Sequence, residues 1–118
     1  MGGNKSRGYE YAGSSTVGDV AWYDSNSGSK TQEVGKKAPN ELGLYDMSGN
    51  LWEWCSDWFG NYSSSAQTNP YNSIGSCRVF RGGSWYCRVS FVWVAYRDNV
   101  SPSATSSGLG LRIARALP

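Results

Sequence analysis

The stretch Gly43–Trp58 reads Gly-Leu-Tyr-Asp-Met-Ser-Gly-Asn-Leu-Trp-Glu-Trp-Cys-Ser-Asp-Trp and holds three of the six tryptophans of this 118-residue chain. Asp46–Asn50 is rich in turn-forming residues, and Leu51–Trp54 then alternates apolar and acidic side chains as a strand does. Burying a tryptophan removes roughly 200 Å² from water, so three buried tryptophans contribute on the order of 10 kcal/mol of gross burial free energy. We therefore predict that a turn and a strand in this stretch anchor the fold.

The composition favours strands and loops over a helical bundle. The chain has 15 glycines and only 17% charged residues, and its length of 118 residues suits one domain. No apolar run approaches the roughly 18 residues of a membrane-spanning helix, and no signal peptide is recognisable. We predict a single domain over residues 1–118.

The charge is small but unevenly placed. The net charge is +2, with five Lys/Arg and eight Asp/Glu in residues 1–77, against six Arg and a single acidic residue, Asp98, in residues 78–118. The arginines of this basic third flank apolar runs, which favours buried or half-buried hydrogen bonding over a solvated phosphate-binding stripe. We therefore expect no nucleic-acid partner.

Four further segments carry apolar patterns typical of short elements. We predict a strand or a helical turn at Asp19–Tyr23, an edge strand at Thr31–Gly35, a strand at Arg78–Arg81, and a closing strand at Leu109–Ala114 with its apolar side chains on one face. The polar, serine-rich segments 60–76 and 98–108 show no periodicity and are predicted to be loops. Residues 89–96 form a further apolar and aromatic run.

Three motifs in order give the chain a family resemblance. They are the Gly43–Trp54 stretch, Arg-Val-Phe-Arg-Gly-Gly-Ser-Trp at 78–85, and Gly-Leu-Gly-Leu-Arg-Ile-Ala-Arg at 108–115. Together they resemble the formylglycine-generating-enzyme (sulfatase-modifying factor) family, over essentially Gly2 to Pro118. The resemblance implies an α+β, C-type lectin-type fold that is rich in loops and has short antiparallel strands. Because that family's complete domain is longer, we expect an N-terminal portion to be missing here.

The resemblance speaks against the family's enzymatic activity. The enzymes of the family that this chain resembles are copper-dependent oxidases that use two cysteines shortly after the Gly-Gly-Ser motif. In this chain the first of these positions is Cys87, whereas the second is Val92. A single thiol cannot complete a two-sulfur copper site. We therefore expect no copper and no enzymatic activity, with a formylglycine-generating-type oxidase, or an inactive relative of it, as the alternative.

Calcium is the one cofactor that the resemblance leaves as a candidate. It implies an ion held by the side chain of Asp46, the backbone carbonyls of Gly49 and Leu51, and the carboxylate of Glu53, which are the hard oxygen ligands that calcium prefers. The competing interpretation, given equal weight, is that Asp46 caps the turn and Glu53 pairs with a half-buried arginine.

The three cysteines, Cys55, Cys77 and Cys87, match no zinc spacing, and the chain has no histidine. An odd number leaves at least one thiol unpaired. A Cys55–Cys77 bridge and three free core thiols both remain open, and we favour free thiols.

The segment 86–108 combines an ordinary frame with unusually mixed residues. The frame residues Val94–Arg97, Ser101–Ser103 and Leu109–Gly110 follow the family pattern. This arrangement resembles the variable proteins of diversity-generating retroelements, which carry a diversified C-terminal region on the same lectin-type fold. The resemblance implies a variable ligand-binding set: Tyr86, Cys87, Arg88, Ser90, Phe91, Trp93, Asp98, Asn99, Val100, Ala104, Ser106 and Ser107.

The same segment has the composition of a binding surface. Tyr86, Phe91 and Trp93 are large rings, and with Arg88 and Asp98 they make a plausible patch, because aromatic and arginine side chains are common interface anchors. Alternatively, one or more of the rings belong to the core. We predict a non-enzymatic domain that binds a protein or other macromolecular ligand, with a purely structural accessory domain as a third possibility.

The resemblance to variable proteins also implies where such a domain works. We expect a monomer that is exported to the surface of a bacterial cell. Association with a membrane would come only through an anchor in the missing N-terminal portion.

Overall fold

A four-stranded sheet forms the centre of the protein in a computed structural model that describes residues 2–116. Its strands are β3 (Trp52–Trp58), β4 (Arg78–Arg81), β5 (Arg97–Val100) and β6 (Leu109–Gly110), in the spatial order β5-β4-β3-β6. The β3–β4 and β4–β5 pairs are antiparallel, whereas β6 runs parallel to β3. The predicted strands at the central stretch and at Arg78–Arg81 are confirmed.

A second, smaller layer packs beside this sheet. It consists of helix α1 (Val17–Val20), which runs directly into strand β1 (Ala21–Trp22), and of strand β2 (Ser48–Gly49), which pairs with β1 in parallel. The predicted choice between a strand and a helical turn at 19–23 is thus resolved as one of each. Short 3₁₀ turns cover Gly3–Lys5 and Val89–Val92.

The central turn requires a glycine. Gly49 has φ +78° in strand β2, and a Cβ atom there would collide with the backbone of Trp22 in the paired strand. Asn50 follows at φ +66°, and its backbone N–H donates to the Trp22 carbonyl oxygen at 2.8 Å. The turn that begins at Asp46, itself at φ +56°, therefore places two backbones in direct contact and leads the chain into β3.

The tryptophans of the central stretch are not equally buried. Trp52 is buried, and its ring meets Phe80 edge-on at 4.6 Å, whereas Trp54 and Trp58 are only half-buried. Trp58 is covered by a cation, because the Arg78 guanidinium carbon lies 3.8 Å from its ring centre. The expectation of three fully buried rings was wrong, because β3 continues past Trp54 through an irregularity and carries Trp58 to the margin of the sheet.

The expected edge strand at Thr31–Gly35 is absent from the structure. The backbone N–H and carbonyl of Gln32 bond the side-chain amide of Asn50, at 2.9 Å and 3.1 Å, instead of a neighbouring strand. Gly35 has φ +74°, which is incompatible with an extended strand, and its N–H donates to Asp46 at 2.8 Å. Side chains of the central turn therefore satisfy the backbone of this segment.

Two expectations for the C-terminal third also need correction. The predicted loop 98–108 begins as a strand, since β5 pairs with β4 in the register Phe80–Asp98. The predicted closing strand is shorter than 109–114, because ladder pairing ends at Gly110 and Ile113 is 88% exposed. Beyond Gly110, the side chain of Arg112 bonds Glu53 in place of a further backbone ladder.

The three cysteines are free, as we favoured, but only Cys87 is a core thiol, because Cys55 and Cys77 are half-buried. No helix within residues 2–116 is long and apolar enough to cross a membrane. The buried core joins Tyr11, Val20, Ala21 and Val92, so the 3₁₀ turn of the C-terminal segment packs on the smaller layer.

Candidate ligand-binding site

An open cavity of about 440 Å³ lies beside the face of the sheet that carries Phe80 and Asp98. Five of the twelve residues expected at the variable site line it, together with two framework rings. The lining residues are Trp52, Phe80, Tyr86, Cys87, Arg88, Phe91 and Asp98. The structure therefore brings residues 86–91 and strand β5 together on one concave surface.

The floor of the cavity is an aromatic cluster. The rings of Trp52 and Phe80 meet edge-on, Trp52 lies 5.8 Å from Tyr96, and Phe91 meets Tyr96 edge-on at 4.9 Å. Such edge-to-face pairs each add roughly 0.5–1.5 kcal/mol beyond the burial of their area. This floor is consequently fixed by contacts that do not depend on Tyr86 or Arg88.

Arg88 supplies an unpaired positive charge at the cavity. Its side chain is exposed, and its guanidinium has no ion-pair or hydrogen-bond partner within residues 2–116. The nearby carboxylate of Asp98 differs, because it accepts hydrogen bonds from the Asn99 backbone N–H at 2.8 Å and from the Tyr96 hydroxyl at 3.2 Å. Burial, reinforced by the Asp98 charge, raises the pKa of Tyr96, so this hydroxyl remains a donor.

The loop that carries Tyr86 and Cys87 is held by backbone bonds to the frame. The Trp85 N–H donates to the Asn50 carbonyl at 2.9 Å, and the Cys87 carbonyl accepts from the Asp24 N–H at 3.0 Å. Tyr86 is 46% exposed and packs edge-on against Trp85 at 5.1 Å. The loop backbone is thus fixed, while the Tyr86 ring is about half exposed and also packs against the backbone of Gly108.

Cys87, one of the twelve residues expected at the variable ligand-binding site, does not face solvent. It is only 6% exposed, and its sulfur lies 3.5 Å from the Ser84 hydroxyl. Its side chain therefore contributes to the wall of the cavity as a small buried group. The expected second cysteine position, Val92, is fully buried in the core on the smaller layer.

The remaining expected residues lie outside the cavity. Trp93 is 40% exposed, and its Nε1–H donates to the Tyr11 hydroxyl at 3.3 Å. Phe91 and Trp93 do not share a face with Val89, as a strand would require, because residues 89–92 form a 3₁₀ turn. The others outside the cavity are Ser90, Asn99, Val100, Ala104, Ser106 and Ser107. The serines at 106 and 107 are exposed, whereas the other four are half-buried.

Sequence reasoning assigned Trp52 to the frame and missed that it and Phe80 line the same cavity. The antiparallel register of β4 and β5 explains why Phe80 lines the cavity, since it places Phe80 directly opposite Asp98. The sequence of residues 98–108 predicts a loop and so carries no sign of this register.

Of the four residues of the candidate calcium site, Glu53 and the backbone carbonyl of Asp46 accept hydrogen bonds from the Arg112 guanidinium, whereas the Gly49 carbonyl accepts from the Leu51 N–H. Nη2 of Arg112 lies 2.7 Å from Oε1 of Glu53 and 2.9 Å from the Tyr45 carbonyl oxygen. Asp46 is buried, and its Oδ2 accepts from the Gly35 N–H, but its Oδ1 has no hydrogen-bond partner among residues 2–116. The orphaned Asp46 oxygen fits a cation ligand, yet both oxygens of Glu53 already bond Arg112.

As arranged here, the turn therefore fits the arginine cation rather than a calcium ion. The pairing of Glu53 matches the competing interpretation of the sequence. Within residues 2–116 no group of three or more acidic, cysteine or histidine side chains is clustered for a metal.

The fold defines the class of protein: a small α+β domain whose mixed sheet and fixed turns support an open, concave surface. The profile of the sulfatase-modifying factor enzyme 1-like domain matches residues 1–117. The chain belongs to this family, and its fold is the C-type lectin-type fold of that family.

Sequence comparison finds relatives with different names. Chaperone protein LppX of Paenibacillus barcinonensis is 32% identical, with 98% of this chain and 44% of LppX covered. The formylglycine-generating enzyme of Streptomyces coelicolor is 41% identical, with 71% of this chain and 29% of the enzyme covered. The chain thus spans less than half the length of these relatives.

Structural comparison finds a variable protein. Variable protein 1 of Treponema denticola superimposes with a TM-score of 0.84 at 42% identity, covering 92% of this chain and 41% of that protein. PvdO from Pseudomonas aeruginosa gives a TM-score of 0.69 at 27% identity, with 90% and 41% covered. The resemblance to variable proteins is thereby confirmed at the level of the scaffold.

Proposed function

We propose that this chain is a non-enzymatic ligand-binding domain whose segment 86–108 presents a diversified patch to a protein or other macromolecular ligand. The observation that carries the proposal is the convergence of Tyr86, Arg88, Phe91 and Asp98 on one aromatic-floored cavity. Its volume lies in the usual range of ligand pockets, roughly 300–1,000 Å³. The likeness to Treponema denticola variable protein 1 supports the same conclusion.

The division between a fixed frame and exposed side chains supports diversification. The loop backbone is held by the bonds of Trp85 and Cys87 to the frame, while the Tyr86 and Arg88 side chains are exposed and make no hydrogen bond within residues 2–116. Substitution of an exposed side chain without packing contacts usually changes stability by less than about 0.5 kcal/mol, which applies to Arg88. Tyr86 packs edge-on against Trp85, so its replacement should cost somewhat more, roughly the 0.5–1.5 kcal/mol of an aromatic pair, and still leave the frame folded.

The oxidase alternative is weakened by the state of its two positions. Cys87 is a buried thiol beside Ser84, and the second position is a fully buried valine in the core. Neither arrangement supports a pair of sulfur ligands for copper. We accordingly propose a protein without copper chemistry. From its likeness to variable proteins, we further propose that it is a monomer exported to a bacterial cell surface.

A peptide-display selection tests the proposal. Peptides selected on the parent protein should lose at least tenfold in affinity for a Tyr86→Ser/Arg88→Ser variant that still unfolds cooperatively and loses only the contact between Tyr86 and Trp85. The matched control is Tyr62→Ser/Tyr71→Ser, two exposed tyrosines outside the cavity, which should bind as the parent does. Equal binding by the parent and the cavity variant would overturn the proposal.

A second test concerns the gene. Diversification requires a near-duplicate of the DNA for the C-terminal segment that differs only at adenines, beside a reverse transcriptase. Copper-dependent oxygen consumption with a cysteine-containing peptide, abolished by Cys87→Ser, would instead establish the oxidase alternative.

The proposal also concerns calcium binding at the central turn. The Arg112 guanidinium bonds both oxygens of Glu53, so we propose that the parent domain does not need calcium to fold. Asp46 and Glu53 become open to calcium only when that arginine is removed.

A further inference from the structure

The chemistry of the cavity indicates what kind of group it accepts, on the premise that the proposed binding function is correct. Four rings, Trp52, Phe80, Tyr86 and Phe91, make most of its wall. An apolar side chain that enters such a hollow exchanges contact with water for ring contacts, at about 25 cal/mol per Å² of apolar area buried. The inserted group is therefore apolar, and a flat ring suits edge-to-face contact with these walls.

The charges at the rim are not balanced, although the cavity has one cation and one anion. The Asp98 carboxylate already accepts two hydrogen bonds, from Asn99 and Tyr96, which satisfy part of its need for donors. Arg88 has all its side-chain donors free within residues 2–116. The five N–H donors of the planar Arg88 guanidinium can bind a carboxylate in a bidentate manner. The group at the rim that lacks a partner is therefore one that binds an anion.

The charged groups farther out do not reverse this preference. Cys87 is a small buried side chain in the same wall, and the Tyr96 hydroxyl donates to Asp98. The Arg78 guanidinium, which shares the sheet face of Asp98, is stacked on Trp58 and donates to the Ser56 carbonyl. Arg88 is therefore the one charge at the cavity whose hydrogen-bonding capacity is wholly unused within the described chain.

We propose that the cavity binds a protein segment that inserts an aromatic side chain and carries a carboxylate beside it, the ring entering between Tyr86 and Phe91 and the carboxylate pairing with Arg88. The partner is thus an acidic, aromatic peptide surface. A basic partner is disfavoured, because the free cation of Arg88 repels it and Asp98 is already engaged.

Three small probes that share a phenyl ring and differ in charge test this inference: phenylacetate, 2-phenylethanol and phenethylamine. Binding to the full chain is followed by the NMR shift of the Trp52 indole N–H. The expected order of affinity is phenylacetate, then the alcohol, then the amine. Arg88→Gln should lower phenylacetate affinity about five- to tenfold and leave the alcohol unchanged, as expected for loss of a partly exposed charge-assisted pair.

Two variants keep the test specific. Arg115→Gln removes the same charge from an exposed site outside the cavity and should leave the phenylacetate affinity unchanged. Asp98→Asn should strengthen phenylacetate binding, since it removes the only carboxylate of the lining.

The outcomes separate this inference from the binding function on which it rests. Equal affinities for the three probes, a preference for the amine, or no shift of Trp52 with any probe would overturn it. Peptide binding that still depends on Tyr86 and Arg88 would then preserve the binding function with a different ligand chemistry. Peptides that ignore both residues would end the binding function itself.

Discussion

Arg112 holds both carboxylate oxygens of Glu53 across 59 positions of the chain, with Nε at 2.9 Å from Oε2 and Nη2 at 2.7 Å from Oε1. Nη2 also donates to the Tyr45 carbonyl at 2.9 Å. The hydrogen bond with Glu53, opposed by burial, raises the pKa of Arg112, so the arginine stays charged throughout the accessible pH range. The pair fastens the C-terminal segment to the turn at the centre of the fold.

Loss of this pair should destabilise the domain modestly. Both side chains are partly exposed, so we expect Arg112→Gln to lower the free energy of unfolding by about 1 kcal/mol, less than a buried pair would cost. Urea denaturation measures the change. Arg115→Gln, at an exposed position of the same segment, should cost less than about 0.5 kcal/mol, and an equal cost for both would argue against the pair.

The same substitution should create a calcium response. Both Asp46, whose buried Oδ1 has no hydrogen-bond partner within residues 2–116, and Glu53 interact with the charge of Arg112, so its removal leaves these two carboxylates without that cation. We expect calcium to raise the melting temperature of Arg112→Gln but not of the parent, and terbium luminescence excited through tryptophan to appear only in the variant. Asp46→Asn added to the variant should remove both effects. A parent stabilised equally by calcium would contradict the role of Arg112.

The central stretch could be predicted because its signals are local. Turn-forming residues at 46–50 and the apolar alternation after them specify a turn and a strand without long-range information. Strand β5 could not be predicted in this way. Arg97–Val100 contains only one strongly apolar residue, and its pairing with β4 depends on partners about 20 positions away in the sequence.

The candidate site was predictable as a segment but not as a surface. Tyr86, Arg88, Phe91 and Asp98 were singled out by residue type, and the cavity does unite them. Trp93 had the same appearance in sequence, yet a 3₁₀ turn directs it to a hydrogen bond with Tyr11 outside the cavity. Side-chain direction in a short turn depends on backbone geometry, which composition does not encode.

The close backbone contact at Gly49 predicts a large stability effect. A Cβ at this position would collide with the carbonyl oxygen of Trp22, and the residue also has φ +78°. We expect Gly49→Ala to cost about 3 kcal/mol or more. Gly18→Ala is the matched control, because Gly18 lies in α1 and, within residues 2–116, an added Cβ would meet no atom within 4 Å outside the helix backbone and the adjacent residues. It should stabilise by up to about 1 kcal/mol. Chemical denaturation of both variants measures the difference.

The Cys55 thiol should ionise at a higher pH than a free thiol. Burial, helped by Asp57 and Glu53 and opposed by Arg81, raises the pKa of Cys55 above its usual value. In a peptide-resolved alkylation experiment, the midpoint for Cys55 should lie above the free-thiol value of about 8.5. Removing the opposing cation by Arg81→Gln should move the midpoint higher still, and a midpoint that falls would refute this electrostatic account.

The raised pKa also has a consequence for stability. The unfolded thiol ionises first, so its contribution to stability is fully present below about pH 8.5 and is lost as the pH rises through the higher folded value. Cys55→Ser should therefore reduce the loss of stability between neutral and alkaline pH.

The two valines that delimit the 3₁₀ turn should respond very differently to truncation. Val92 is fully buried against the smaller layer, whereas Val89 in the same turn is 40% exposed. Val92→Ala leaves a cavity between the turn and that layer, and we expect it to cost about 2 kcal/mol. Val89→Ala should cost less than about 0.5 kcal/mol.

Because Phe91 is part of this turn and also lines the ligand cavity, loss of packing at Val92 should additionally weaken phenylacetate binding, whereas truncation at Val89 should not. Equal unfolding free energies for the two variants would mean that the turn is not held by its buried residue.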